Sequence, residues 1–157
     1  MMKVRVIGIG SPFGDDRIGW KVVSILQQKK NIQKFIPNQL QIECSDRPGL
    51  DLLNLLQGAE TAFLVDAVKT GASKTTIHRF ENSEIEKIET PLSSHSFGIG
   101  QTLKLGKLVS ELPGMIVLFG IEIENISSQF EISKDLQAAI VRLSNIIEKE
   151  LLAVLSV

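Results

Sequence analysis

Val4-Arg5-Val6-Ile7-Gly8-Ile9-Gly10-Ser11-Pro12-Phe13-Gly14-Asp15-Asp16-Arg17-Ile18-Gly19 is the stretch that decides how the rest of the chain is read. Val4 to Ile9 is a short apolar run closed by Gly8 and Gly10, the pattern of a buried strand. A glycine-rich turn follows, and Asp15-Asp16 then opens a helix that runs to about Lys29. Ile18, Val22, Ile25 and Leu26 fall on one face of it at helical spacing. Asp15 is expected to cap the helix, and a second acid in the first turn suits the helix dipole. A buried strand, a tight turn and an amphipathic helix in that order are the opening unit of an α/β fold.

The remaining segments extend this alternation. Leu40 to Cys44 reads as a second strand, Leu50 to Gln57 as a short helix stopped by Gly58, and Thr61 to Val65 as a central strand, apolar throughout. Thr75 to Phe80 alternates and is more polar, which predicts a half-exposed edge. Its connection from the third strand is too short for a helical crossover and favours antiparallel pairing there. Glu81 to Glu89 has four acids and no clear period, and is expected to be a solvated loop. Phe97 to Glu111 reads as a helix weakened by Gly98, Gly100 and Gly106. Met115 to Ile121 is another buried strand, and Ser133 to about Leu155 a final amphipathic helix with Ser133 as its cap. The prediction is a three-layer α/β/α sandwich, residues 1–157 as one domain, with a mostly parallel sheet of about five strands and one antiparallel edge.

Composition narrows the function. At 157 residues and a net charge of −1 the chain lacks the basic footprint of nucleic-acid binding. One Cys and two His exclude a disulfide framework and a Cys-rich zinc module. No apolar stretch approaches a membrane span, and charges interrupt the N-terminal run where a signal peptide would need continuous apolar residues. The expectation is a cytoplasmic, soluble monomer.

Ligands of parallel sheets gather at the carboxyl ends of the strands, where Asp16, Asp46, Asp66 and Glu122 fall. Gly8-Ile9-Gly10 invites a dinucleotide reading, but Asp15 and Asp16 at the helix start would repel a pyrophosphate. Asp66, inside Leu64-Val65-Asp66-Ala67-Val68, is the acid least easily dismissed, since an unpaired charge there is costly. It either bonds nearby amides or does chemistry. Asp16 either starts the helix or shares that chemistry, while Asp46 and Glu122 are expected to serve turns and solvent. His95, in Ser94-His95-Ser96-Phe97-Gly98, should stay neutral at a helix start, able to take a proton or bind a metal, or else bond its serine neighbours. His78 is expected to face solvent and Cys44 to be a small buried hydrophobe. Gly98 and Gly100 either let a substrate tail approach the backbone or serve packing.

Gly8 to Gly19, Leu64-Val65-Asp66-Ala67, Ser94 to Gly98 and Leu118-Phe119-Gly120-Ile121-Glu122-Ile123-Glu124, taken in order and spacing, resemble the nickel–iron hydrogenase maturation endopeptidases. The resemblance implies an α/β/α fold and an endopeptidase that removes the C-terminal extension of the immature hydrogenase large subunit after nickel insertion. It implies that Asp16, Asp66 and His95 are the catalytic and metal-contacting trio of this aspartyl-type protease, and that the nickel is held by the substrate. Many members carry Asp-Gly-Gly-Thr where this chain reads Ser45-Asp46-Arg47-Pro48-Gly49, a segment associated with substrate discrimination, and Ile123 stands where Pro is frequent. The rival readings are a nickel-dependent checkpoint that binds the precursor without cutting it, and a small-molecule hydrolase using the same crevice.

Overall fold

The opening run becomes β1 (Met2–Gly10), the strand on which the architecture is built. The computed structural model describes residues 2–88, 98–109, 111–124 and 131–156. After β1 come α1 (Ile18–Gln27), the single turn α2 (Lys30–Gln33), β2 (Leu40–Asp46), α3 (Leu52–Leu55) and β3 (Ala59–Val68). β4 (Ile77–Glu81), the single turn α4 (Ser83–Glu86), α5 (Ile99–Val109), β5 (Met115–Glu122) and α6 (Lys134–Leu155) complete the order.

The strands form one five-stranded sheet in the order β2-β1-β3-β5-β4. β1 pairs in parallel with β2 and β3, and β3 in parallel with β5. β4 is the antiparallel edge, but its partner is β5 rather than the strand that precedes it. β3 and β5 are both apolar along most of their length, which suits interior places in a sheet covered on both faces by helices. The half-exposed β4 is left outside.

Alternate residues of the central strands feed two cores. Val4, Val6, Phe63, Val65, Val117 and Phe119 face α1 and α6, where Phe63 meets Phe119 edge to face at 5.3 Å. Ile7, Ile9, Ala62, Leu64, Ile116 and Leu118 face the other layer, with Leu52, Ile85 and Leu103 from α3, α4 and α5. α6 buries Leu136, Ala139, Ile140, Leu143, Ile147, Leu151 and Leu155, a stripe at intervals of three and four residues. This is the expected three-layer arrangement. The acidic stretch departs from expectation: it contains α4, whose Ile85 is fully buried. One apolar side chain reaching the core is enough to order that turn. Ser133 does precede α6, but its hydroxyl bonds the Asp135 carboxylate and caps no backbone amide.

Among the described residues no helix is long and apolar enough to cross a membrane.

Candidate active site

From β1 the chain passes out to β2, then returns across β1 to β3, so the connections diverge between β1 and β3. A crevice forms at the carboxyl ends of such a strand pair. Asp66 lies near the end of β3, in register with Gly120 of β5. Asp16 lies in a 3-10 turn, Gly14–Arg17, that follows β1 and packs against β3. The two carboxylate residues are buried, at 4% and 3% exposure for Asp16 and Asp66.

The turn that carries Asp16 is tightly defined. The Asp16 amide donates to the Phe13 carbonyl at 3.0 Å, and the Ser11 amide donates to the Asp16 carbonyl at 3.2 Å. Gly14 sits at φ 51°, a left-handed conformation that a side chain would strain. This turn also corrects the expected cap. α1 begins at Ile18, Arg17 holds the capping position, and no side chain caps it. Asp15 is instead buried beside the turn. Burial pushes its carboxyl above the usual range, opposed by the charges of Lys74 and Arg17.

The glycines of Gly8-Ile9-Gly10 serve the approach of α1 to the sheet. A Cβ on Gly8 would lie 2.7 Å from the Gly19 carbonyl oxygen, and one on Gly10 would lie 2.2 Å from that of Asp16. Gly8 meets the backbone of α1 and the Val23 side chain, and Gly10 the backbone of the turn before α1, which gives the glycine pair a reason independent of any phosphate. Two further bonds tie the end of β2 and the residue after it to the same edge. The Trp20 indole donates to the Ser45 carbonyl and the Arg47 amide to the Gly10 carbonyl, each at 3.0 Å. Trp20 was not singled out by sequence reasoning; a lone Trp in the first turn of this helix was the available signal.

Asp66 accepts a hydrogen bond from the Ala67 amide at 2.8 Å. It therefore does bond a neighbouring amide, while remaining buried at the crevice. His95 lies outside the described residues, as does Phe97, the expected helix start. Among the described residues no group of three His, Cys, Asp or Glu is gathered to hold a metal. Gly100 packs against α4, where a Cβ would stand 2.9 Å from the Ile85 carbonyl oxygen, whereas the space around Gly98 is open.

The other acids divide. Asp46 is exposed and pairs with Arg47 at 3.0 Å, as a turn residue should. Glu122 also holds a turn, but it is 1% exposed and so does not face solvent. Its carboxylate accepts from the Thr70 amide at 2.7 Å, the Thr70 hydroxyl at 2.6 Å and the Gly71 amide at 3.3 Å. His78 Nε2 lies 2.9 Å from the same carboxylate, which corrects the solvent-facing expectation for that residue: its side chain is 16% exposed. β4 reads as polar because His78 supplies a partner to a carboxylate that is distant in sequence. Cys44 is likewise corrected. It is exposed, because β2 is an edge strand with one side open.

Burial disfavours the Glu122 charge, but the Thr70 hydroxyl and amide, His78 and the Gly71 amide outweigh it and hold the carboxyl below its usual range. Glu122→Gln turns an NH2 group towards donors and should destabilise the fold by about 1–3 kcal/mol. A depressed folded-state pKa stabilises above the unfolded value of about 4.3, and that contribution is lost as pH falls through the folded value. Thermal melts from about pH 7 to about pH 3 should therefore show the gap between wild type and variant closing in the acid range.

The layered fold, the switch point and the buried acids at its rim define an enzyme-like α/β protein with a carboxylate-lined edge. Residues 47–150 match the family described as hydrogenase maturation protease (HycI), and the chain belongs to that family. The matched span includes Asp66 and His95 and begins after Asp16. The chain is 26% identical over 126 residues to the hydrogenase expression/formation protein HoxM of Cupriavidus necator, covering 78% of this chain and 60% of that protein. It is 24% identical over 123 residues to the corresponding protein HupD of Thiocapsa roseopersicina, covering 76% of this chain and 54% of that protein. The alignments thus span little more than half the length of these relatives. In fold it is similar to the hydrogenase maturating endopeptidase HybD from E. coli, with a TM-score of 0.81, 20% identity, and coverage of 93% of this chain and 90% of that one.

Proposed function

We propose that this chain is an endopeptidase that removes the C-terminal extension of a nickel-loaded hydrogenase large-subunit precursor. The observation that carries the reading is the pair of buried carboxylate residues, Asp16 in the turn after β1 and Asp66 near the end of the adjacent strand β3, in a member of the maturation protease family. Asp16, Asp66 and His95 grip the nickel of the substrate. Carboxylate and imidazole are borderline-to-hard ligands suited to open positions on a divalent ion, while the precursor's own cysteines supply the soft ones. Gripping the metal sets the scissile peptide bond beside the carboxylates. Hydrolysis then requires a water aimed at the scissile carbonyl. Nickel polarises that carbonyl or the water, or a carboxylate takes the water's proton without direct metal attack. Either route makes the enzyme an aspartyl-type hydrolase whose metal arrives with its substrate. The reading takes residues 1–157 as one domain that works as a monomer in the cytoplasm.

The test is to incubate the purified chain with precursor, with and without inserted nickel, and follow the mass of the large subunit. Loss of a C-terminal peptide from nickel-loaded precursor alone is the expected result. Tight binding with unchanged mass would replace the endopeptidase by a checkpoint that inspects the precursor without cutting it.

A second expectation concerns free nickel. Three ligands on the protein leave the ion incompletely held, so calorimetric titration with nickel alone should show weak binding, with Kd in the micromolar range or above, roughly −8 kcal/mol or less favourable. Nanomolar binding would mark a resident metal centre and overturn the idea that the metal belongs to the substrate.

A further inference from the structure

Among the described residues, Phe13 stands apart from the other phenylalanines. Phe63 and Phe119 are 1% and 0% exposed and Phe35 and Phe80 are packed against the two cores, yet Phe13 is 61% exposed. Pro12 beside it is exposed too, but the rest of the turn is closed: Ser11, Gly14, Asp15 and Asp16 are all buried. The backbone beneath the ring is held at three points. The Phe13 amide faces the Ser11 hydroxyl at 3.4 Å, its carbonyl accepts from the Asp16 amide, and Asp16 in turn accepts from the Ser11 amide. The ring is therefore presented to solvent by a fixed turn. Ordering an exposed aromatic in this way offers large apolar area at little further entropic cost on binding.

Its place gives the ring a use. Phe13 and Asp16 are the first and last residues of a hydrogen-bonded turn, so their Cα atoms lie within about 7 Å of each other. An extended peptide advances about 3.3 Å per residue. A chain whose scissile bond lies at Asp16 would thus bring a side chain to the ring within about two residues of the cut.

We propose that Phe13 is the substrate-anchoring residue of this site, its ring packing against an apolar side chain of the precursor close to the scissile bond. This rests on the endopeptidase reading and adds to it a specificity contact. The partner is an extended apolar-bearing peptide, and the contact acts in binding rather than in bond cleavage.

The experiment compares wild type with Phe13→Ala and Phe13→Leu on nickel-loaded precursor. Phe13→Ala should lower kcat/KM by about 10-fold to 100-fold, the loss typical of an aromatic anchor, through KM and with unchanged melting temperature. Phe13→Leu should recover most of the loss. Leu108→Ala serves as control: Leu108 is 84% exposed on α5, which leads back to the opposite end of the sheet, where β5 starts. It should cleave as wild type does. Precursors with each apolar residue near the cut changed to Ser should include one whose loss is non-additive with that of Phe13→Ala. Unchanged kcat/KM in Phe13→Ala, or additivity with every precursor variant, would overturn the anchor while leaving the endopeptidase standing. If wild type binds precursor without cleaving it, the endopeptidase falls, and Kd followed by Trp20 fluorescence decides the anchor: a rise in Phe13→Ala upholds it, no rise removes it. A wild type that neither binds nor cleaves nickel-loaded precursor overturns both.

Discussion

Asp66→Asn is expected to lower cleavage of nickel-loaded precursor by at least about 1,000-fold, corresponding to about 4 kcal/mol of lost transition-state stabilisation. The substitution separates the two roles open to this residue. Asn has the same shape, and its side-chain carbonyl can still accept from the Ala67 amide, which lies 2.8 Å from Asp66 Oδ1. A residue needed only to hold that amide would therefore tolerate Asn with little change. What Asn removes is the charge: an anionic ligand for the substrate's nickel and a possible proton acceptor for water. The melting temperature, read beside the cleavage rate, shows whether the variant keeps the fold. Loss of cleavage in a fully folded variant is thus the signature of chemistry, and retained cleavage would remove Asp66 from the mechanism. Asp16→Asn should behave alike, and the double variant should be scarcely worse than either single one, as expected of groups that act as a unit.

The second large effect is structural. Gly19→Ala would place a Cβ 2.4 Å from the carbonyl oxygens of both Ile9 and Val65. Both obstacles are strand backbone, which cannot rotate away as a side chain would. α1 would have to lift from the sheet, and Ile18, Val22, Val23 and Leu26, all fully buried, would lose part of their packing. The cost should reach about 3 kcal/mol or more, the upper range for overpacking, which lowers the melting temperature by roughly 10 °C at this size. Asp16, one turn ahead of Gly19, would move with the helix, so activity should fall even at temperatures where the variant is folded. Gly114→Ala is the matched control. A Cβ there meets nothing within 4 Å, and its effect should stay within about 0.5 kcal/mol. Calorimetry and cleavage assays on both variants check the pair of expectations.

These two positions show how differently the sequence speaks about fold and site. The apolar runs at Val4, Thr61 and Met115 and the one-sided helices at Ile18 and Leu136 carried the layered α/β reading without help. Each signal is local, because hiding a strand on both faces or a helix on one requires a fixed period of apolar residues. The acids at the strand ends were legible for the same reason: a carboxylate inside an apolar run is conspicuous. Some corrected readings are local, namely the caps expected of Asp15 and Ser133 and the loop expected of Glu81 to Glu89; the others concern how distant segments meet. The connection too short for a helical crossover places β4 beside β3 in the sequence reading, yet β5 lies between them. His78, read as facing solvent, and Glu122, read as serving a turn and solvent, are far apart in sequence, and neither reveals the other.

By itself, then, the sequence determined the five strands and the long helices α1 and α6, the faces they hide and the acids near the strand ends, but not the short turns α2 and α4. Only the tertiary structure decided which strands are neighbours, that Gly8 and Gly19 serve the contact of α1 with the sheet and Gly10 that of the turn before it, and that Phe13 is left outside while Glu122 is taken inside. The physical reason is that periodicity records how one segment meets an apolar environment. Burying a charge or leaving an aromatic exposed depends on which partner the fold brings to it.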